Sequence, residues 1–110
     1  MISAKYKLNV SLAFKDFKTF HRGKFLLVKA KENGLKRSRV GVVVSRKNSR
    51  LAVQRNWVER LIYRFFETNK RFLERFNPSS DFLVIILTTV SEIKDNEETL
   101  NNELNDVISI

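Results

Sequence analysis

Cysteine is missing from all 110 residues, which removes disulfides, thiolate metal sites, iron–sulfur ligation and thiol nucleophiles together. Histidine occurs once, at His21, so neither a His-based zinc cluster nor a relay between two imidazoles can be built. One proline and three glycines are too few for a fibrous chain or a Pro/Gly-rich linker. A glycine-rich phosphate loop is absent as well, since Gly34 and Gly41 stand alone. The longest apolar run, Phe82 to Leu87, falls far short of the roughly 20 residues that span a bilayer. Met1 to Lys7 has no long apolar run with a small-residue cleavage site. Nothing argues for export or a membrane partner, and a cytoplasmic location is expected.

Negative charge is scarce where positive charge is dense. Lys and Arg number 21 against 12 Asp and Glu, a net +9. Residues 1–77 hold 20 of the basic and 5 of the acidic residues; residues 78–110 hold 1 and 7. A basic body followed by an acidic region focuses positive potential on one part of the surface and attracts polyanions. Apolar residues make up 43% of the chain, enough for one hydrophobic core in a length too short for two ordinary domains. A single RNA-binding domain over residues 1–110 is expected.

The pattern along the chain reads helix, strand, strand, helix, strand, helix. Ser11 is placed to cap a short helix containing Leu12, Phe14, Phe17 and Phe20, with Gly23 as its stop. Lys24 to Lys31 and Val40 to Ser45 read as strands, joined as a hairpin through the Asn33-Gly34 turn dipeptide. Asn48 or Ser49 is a suitable cap for the longest helix. Val53, Trp57, Val58, Leu61, Ile62 and Phe65 then form an apolar stripe, with Gln54, Arg55, Asn56, Glu59, Arg60 and Tyr63 opposite and Arg64 at the margin. That helix is expected to end near Lys70 or to run on through Leu73, with Phe76 and Pro78 marking the exit. Phe82 to Leu87 suits an interior strand. A last amphipathic helix, Asn96 to Ile108, turns Leu100, Leu104, Val107 and Ile108 inward. The result is a two-layer α/β (α+β) sandwich, one sheet face covered by helices and the other partly open as a groove floor.

The residues for protein-based catalysis are thin, and none is assigned. His21 beside Arg22 reads as a surface or RNA-contacting residue. Glu92, Asp95, Glu97 and Glu98 gather where carboxylates favour a helix start, and no protein-held metal is expected. The cations are better organised. Arg46, Lys47 and Arg50 fall in the turn before the long helix, and Arg55, Asn56, Arg60 and Arg64 follow along its polar side. Arg60 and Arg64 are like charges four residues apart, mildly repulsive on an isolated helix; a polyanion turns that repulsion into attraction. Glu59 stands four residues after Arg55, at pairing distance. Phe14, Phe17 and Phe20 either cover the sheet or border a groove, where they would offer stacking surfaces beside Lys15, Lys18, Arg22 and Lys24 for single-stranded RNA.

The run Arg39-Val40-Gly41-Val42-Val43-Val44-Ser45-Arg46-Lys47, followed by Ala52-Val53-Gln54-Arg55-Asn56-Trp57-Val58-Glu59-Arg60-Leu61-Ile62-Tyr63-Arg64, resembles the bacterial ribonuclease P protein component. Arg55-Asn56, Arg60 and Arg64 match that family's basic motif, while Glu59 stands where the family generally has Lys. The resemblance implies an α-β-β-α-β-α fold like the second domain of ribosomal protein S5, with a left-handed βαβ crossover. Physics alone favours the opposite hand in about 98% of cases. It also implies a subunit of a ribonucleoprotein endonuclease that pairs one-to-one with a catalytic RNA and removes the 5′ leader of precursor tRNA. The chemistry would belong to that RNA and its Mg2+. Arg46, Lys47, Arg50, Arg55, Asn56, Arg60 and Arg64 would bind RNA, while Phe17, Phe20 and Lys24 would line the leader cleft. The alternative is a ribosomal or other structured-RNA-binding protein with no part in cleavage. A third class, a protein–protein adaptor, would use the acidic last helix.

Overall fold

Runs of branched and aromatic side chains make the strands, and the sheet they form positions everything else. The computed structural model describes residues 6–8 and 16–109. In chain order the elements are β1 (Lys18–Arg22), β2 (Leu26–Glu32), β3 (Arg39–Val43), α1 (Ala52–Thr68), α2 (Lys70–Arg75), β4 (Ser80–Ile86), α3 (Val90–Asp95) and α4 (Glu97–Ile108). The sheet runs β1-β2-β4-β3, antiparallel except for the β3/β4 pair. Register sets Leu26 against Ile86, Val28 against Val84 and Ala30 against Phe82, while Val40 and Val42 lie beside Phe82 and Val84. Since strand side chains alternate with period two, these residues share one face. The helices close over it with Val58, Ile62, Phe66, Leu73, Ile93, Leu100, Leu104 and Val107.

The expected hairpin between β2 and β3 does not form, because β4 lies between them. The Asn33-Gly34 turn itself is made: Gly34 has φ +67, Asn33 Oδ1 accepts the Leu35 N–H at 2.8 Å, and the Asn33 amide donates to the Arg37 carbonyl and to Asp81. Arg39 holds Asp81 with two hydrogen bonds of 2.8 and 2.7 Å, fixing the start of β3 to the start of β4. This loop carries the chain across the end of β4 instead of reversing it. Of β4's residues, Phe82, Leu83, Val84 and Ile86 are buried, and a strand buried on both faces belongs inside a sheet.

The observed hairpin is β1–β2. Residues 18–22 were expected at the end of the first helix and are a strand instead; the start of that helix, from Ser11 to Lys15, lies outside the described residues. Gly23 is therefore a turn residue, not a helix stop, and its N–H donates to the Leu26 carbonyl. A bulge between Thr19 and His21 lets neighbouring side chains reach the helical layer. Phe20 meets Phe76 and Phe82 edge-on, and the His21 Nε2 faces Glu103 Oε1 of α4 at 3.9 Å. His21 is thus tucked against α4, contrary to its expected surface role. The other Glu103 oxygen accepts the Phe25 N–H at 2.8 Å. A Cβ on Gly23 would strike that carboxylate, so a larger residue would have to displace the Glu103 side chain.

In the helical layer α1 buries Val58, Ile62, Tyr63 and Phe66. Two assignments to its faces are reversed. Val53 is 77% exposed, and Tyr63 is buried at 8%, because the helix rests against the edge of β3. Neither Asn48 nor Ser49 caps it. Leu51 is the first flanking residue and offers no side-chain bond, while Asn48 donates its amide to the Ile86 carbonyl and Ser49 its hydroxyl to Gln54. The long helix breaks at Asn69 and resumes as α2 to Arg75, followed by a cis peptide before Pro78. The short α3, absent from the sequence reading, starts with the Thr89 hydroxyl accepting the Glu92 N–H. The last helix lies where its periodicity puts it.

Candidate RNA interface

Spacings of four put Asn56, Arg60 and Arg64 on one side of α1, and all three are exposed. With Lys7, Glu59, Tyr63 and Glu67 they line an open cleft of about 300 Å³. One wall comes from far away in sequence. Lys7 bridges to Val40 and Leu8 donates its N–H to the Val40 carbonyl at 2.8 Å, so residues 6–8 run beside β3. The Lys7 ammonium sits 5.0 Å above the Tyr63 ring, an attractive cation–π arrangement. The Tyr63 hydroxyl accepts the Val42 N–H at 3.3 Å, tying α1 to the β3 edge. Lys7 and Tyr63 were not among the candidates, since nothing local in sequence marks either.

Burial pushes the Tyr63 phenol above its usual pKa, the Val42 N–H partly opposes this, and the nearby Glu59 charge adds to the rise. The folded-state value exceeds the unfolded one, so the contribution to stability is complete below about pH 10 and is lost as pH climbs through the folded value. Tyr63→Phe should therefore flatten the alkaline fall in unfolding midpoint. It should also cost about 1 kcal/mol at neutral pH, where Val42 loses its acceptor. A pH scan of thermal unfolding, with an unchanged alkaline limb in the variant, would refute this role.

Arg46, Lys47 and Arg50 are exposed in the β3–α1 loop. Arg55 differs from its neighbours. Its guanidinium donates to the carbonyls of Ser49 (3.0 Å) and Arg50 (3.1 Å), so it braces the loop and does not make the expected pair with Glu59. Glu59→Lys should then leave folding stability nearly unchanged and tighten RNA binding several-fold at low salt, through two added units of positive charge. Equal binding of the two proteins at low ionic strength would place position 59 away from the RNA.

Phe17, Phe20 and Lys24 lie at the opposite edge of the sheet. Three strand intervals of about 4.8 Å separate β1 from β3, roughly 14 Å. The Phe20 ring is engaged by Phe76 and Phe82 on the helix-facing side, Phe17 is half-buried, and exposed Lys24 reaches over the Phe25 ring. The sheet's second face presents half-buried Lys29, Ile85 and Val43 around buried Leu27 and Leu83, with exposed Lys31 beyond. Lys29 and Lys31 alternate with core residues of β2, a signal passed over in reading that strand. Among the described residues no group of three or more His, Asp or Glu side chains is placed to hold a metal ion.

A profile of the ribonuclease P family matches residues 5–109. A ribonuclease P protein component from Pseudomonas aeruginosa strain LESB58 is 40% identical over 75 residues, covering 68% of this chain and 53% of that protein. One from Pseudomonas putida strain KT2440 is 37% identical over the same length. The matched part thus spans about half the length of these curated relatives. Among solved structures, the ribonuclease P protein of Thermotoga maritima superposes with a TM-score of 0.72 at 24% identity, over 93% of this chain and 94% of that one. The same protein in complex with 1-(4-fluorophenyl)-2-thiourea gives 0.67 at 27% identity, over 86% of each chain.

Proposed function

Because the chain belongs to the ribonuclease P family, we propose that it is the protein subunit of a ribonuclease P holoenzyme. It joins a catalytic RNA one-to-one and helps that RNA remove the 5′ leader of precursor tRNA. The observation that carries this reading is the cationic face of α1, where Asn56, Arg60 and Arg64 converge with Lys7 on one cleft. Phosphate contacts from such a face release counterions and supply salt-dependent affinity. The loop cations Arg46, Lys47 and Arg50 extend it, and Arg55 holds that loop in place. Magnesium, bound mainly by the RNA, would supply the Lewis acid and the activated water of phosphodiester hydrolysis.

The leader is assigned to the sheet's second face and its β1 edge, where Lys24, Lys29 and Lys31 offer charge and Phe17 a ring. Phe20, whose ring meets Phe76 and Phe82, borders that edge from the helical side. The mixed sheet, with a parallel β3/β4 pair joined through α1 and α2, is the observation behind proposing a topology like that of the second domain of ribosomal protein S5.

The test compares cleavage of precursors with long and very short leaders by RNA alone, protein alone and both. The protein alone should be inert, the RNA should cleave at high magnesium, and the protein should help most at modest magnesium with the long leader. Cleavage by RNA-free protein would overturn the division of labour. An equal protein effect on both leaders would overturn the leader assignment, and co-sedimentation with a ribosomal subunit in place of any such effect would favour a ribosomal role.

A further inference from the structure

The positive face of α1 does not end with Arg64. Four residues on, Thr68 lines a second open groove of about 450 Å³ with Asn69, Lys70, Arg71, Phe72, Arg75 and Ile108. It sits where the break at Asn69 turns the chain into α2 and where the C-terminal end of α4 comes alongside. Its three cations are exposed, and among the described residues no carboxylate side chain lines it. The α1 cleft, by contrast, mixes Lys7, Arg60 and Arg64 with Glu59 and Glu67. Half-buried Phe72 and Ile108 give the groove an apolar floor. Thr68 contributes a hydroxyl and Asn69 an amide whose nitrogen already donates to the Phe65 carbonyl, leaving its oxygen as an acceptor.

We infer that this groove is a second RNA-binding surface, which takes a phosphodiester segment of the RNA subunit and not of the precursor tRNA. The chemistry fits a ribonucleotide backbone. Three clustered cations suit phosphates, the apolar floor suits the faces of ribose, and acceptors at Thr68 and Asn69 suit the 2′-hydroxyl, which separates RNA from DNA. The choice of occupant follows from continuity and side. Asn56, Arg60, Arg64 and Thr68 succeed one another in steps of four along one face of α1, and beyond the break at Asn69 the cations Lys70, Arg71 and Arg75 of α2 line the same groove as Thr68. The groove belongs to the helical layer, whereas the leader is assigned to the sheet's other face. From Asn56 to Thr68 α1 alone rises about 18 Å at 1.5 Å per residue, which sets the groove apart from the first turn of the α1 cleft and lets the two engage separate stretches of one folded RNA. The inference rests on the proposed function for the identity of that RNA.

The absence of cysteine makes the test clean. Asn56→Cys and Arg71→Cys each create a single thiol for an iron–EDTA tether in the full-length protein, assembled with the cognate ribonuclease P RNA and precursor tRNA. The tether at position 71 should cut the RNA subunit at nucleotides distinct from those cut from position 56. In parallel, the exposed triple variant Lys70→Gln, Arg71→Gln, Arg75→Gln should lower the logarithmic salt slope for the RNA subunit by about 2 and weaken binding about 100-fold at 0.1 M salt. Its thermal unfolding should match the parent, and its affinity for precursor tRNA alone should be unchanged. Cuts confined to precursor tRNA, or a triple variant with the parent's slope, would overturn the inference. If the triple variant is silent while an Arg60/Arg64 variant is weakened, only the second surface falls. If neither the parent nor any variant binds that RNA, the proposed function falls with it.

Discussion

Replacing Arg60 and Arg64 together with alanine should weaken RNA binding about 30-fold at 0.1 M salt and reduce the logarithmic salt slope by about 1.4 to 1.8, because two phosphate contacts and their released counterions are lost. Both side chains are exposed on the wall of the α1 cleft, and neither packs in the core, so folding should hardly change. Arg55→Ala provides the contrast. Its Nη1 donates to the Ser49 and Arg50 carbonyls, so its loss should loosen the β3–α1 loop with a smaller change in slope than the double variant. Binding titrations across a salt series separate the two. A double variant with the parent's slope would remove the α1 face from the interface.

Phe82→Ala should destabilise the fold by about 3 to 5 kcal/mol, the range for a deleted core aromatic. The residue is 1% exposed and its ring is shared by three others: Phe20 at 5.1 Å, Phe72 at 5.2 Å and Phe76 at 5.0 Å between centroids. Those partners come from β1, α2 and the segment after α2, so the cavity would open where sheet and helices meet. Set against a typical total of about 5 to 15 kcal/mol, such a loss leaves little reserve. Phe82→Leu keeps most of the volume and should cost about half as much. Denaturant unfolding followed by circular dichroism measures both, and an alanine variant losing under about 1 kcal/mol would show that the ring cluster is not a structural centre.

What was legible in the sequence was whatever is fixed by local periodicity. The spacing of Asn56, Arg60 and Arg64 gave one helical face, the branched run of β4 gave a buried strand, and Leu100, Leu104 and Val107 gave the inward side of α4. Non-local facts were not legible. The Asn33-Gly34 turn reads as a hairpin whether the next strand pairs with the last or leaves a place for one 37 residues further on. Tyr63 passed for a polar-face residue because its partner, the Val42 N–H, belongs to another element. The spacing of three between Phe17 and Phe20 suits a helix and not a strand, and Phe20's side is decided by Phe76 and Phe82, more than 50 residues away. Arg55 is indistinguishable in sequence from a free cation; only the folded loop reveals the carbonyls it serves.

The insertion of β4 between β2 and β3 has a consequence for how the protein is made. As the chain leaves the ribosome, β3 emerges well before its sheet partner, and its backbone stays unpaired along one edge until Ser80 to Ile86 follow. Sheets closed by such distant pairings form late, and exposed edges in the interval invite association. Twenty of the 21 cations precede residue 78, so the nascent segment is strongly basic before it has a shape. Like-charge repulsion would hold these unfinished chains apart. The cationic face of α1 meets Lys7 beside β3, and β3 is held by β4, so under the proposed function the expected order is completion of the chain, then closure of the sheet, then capture of RNA.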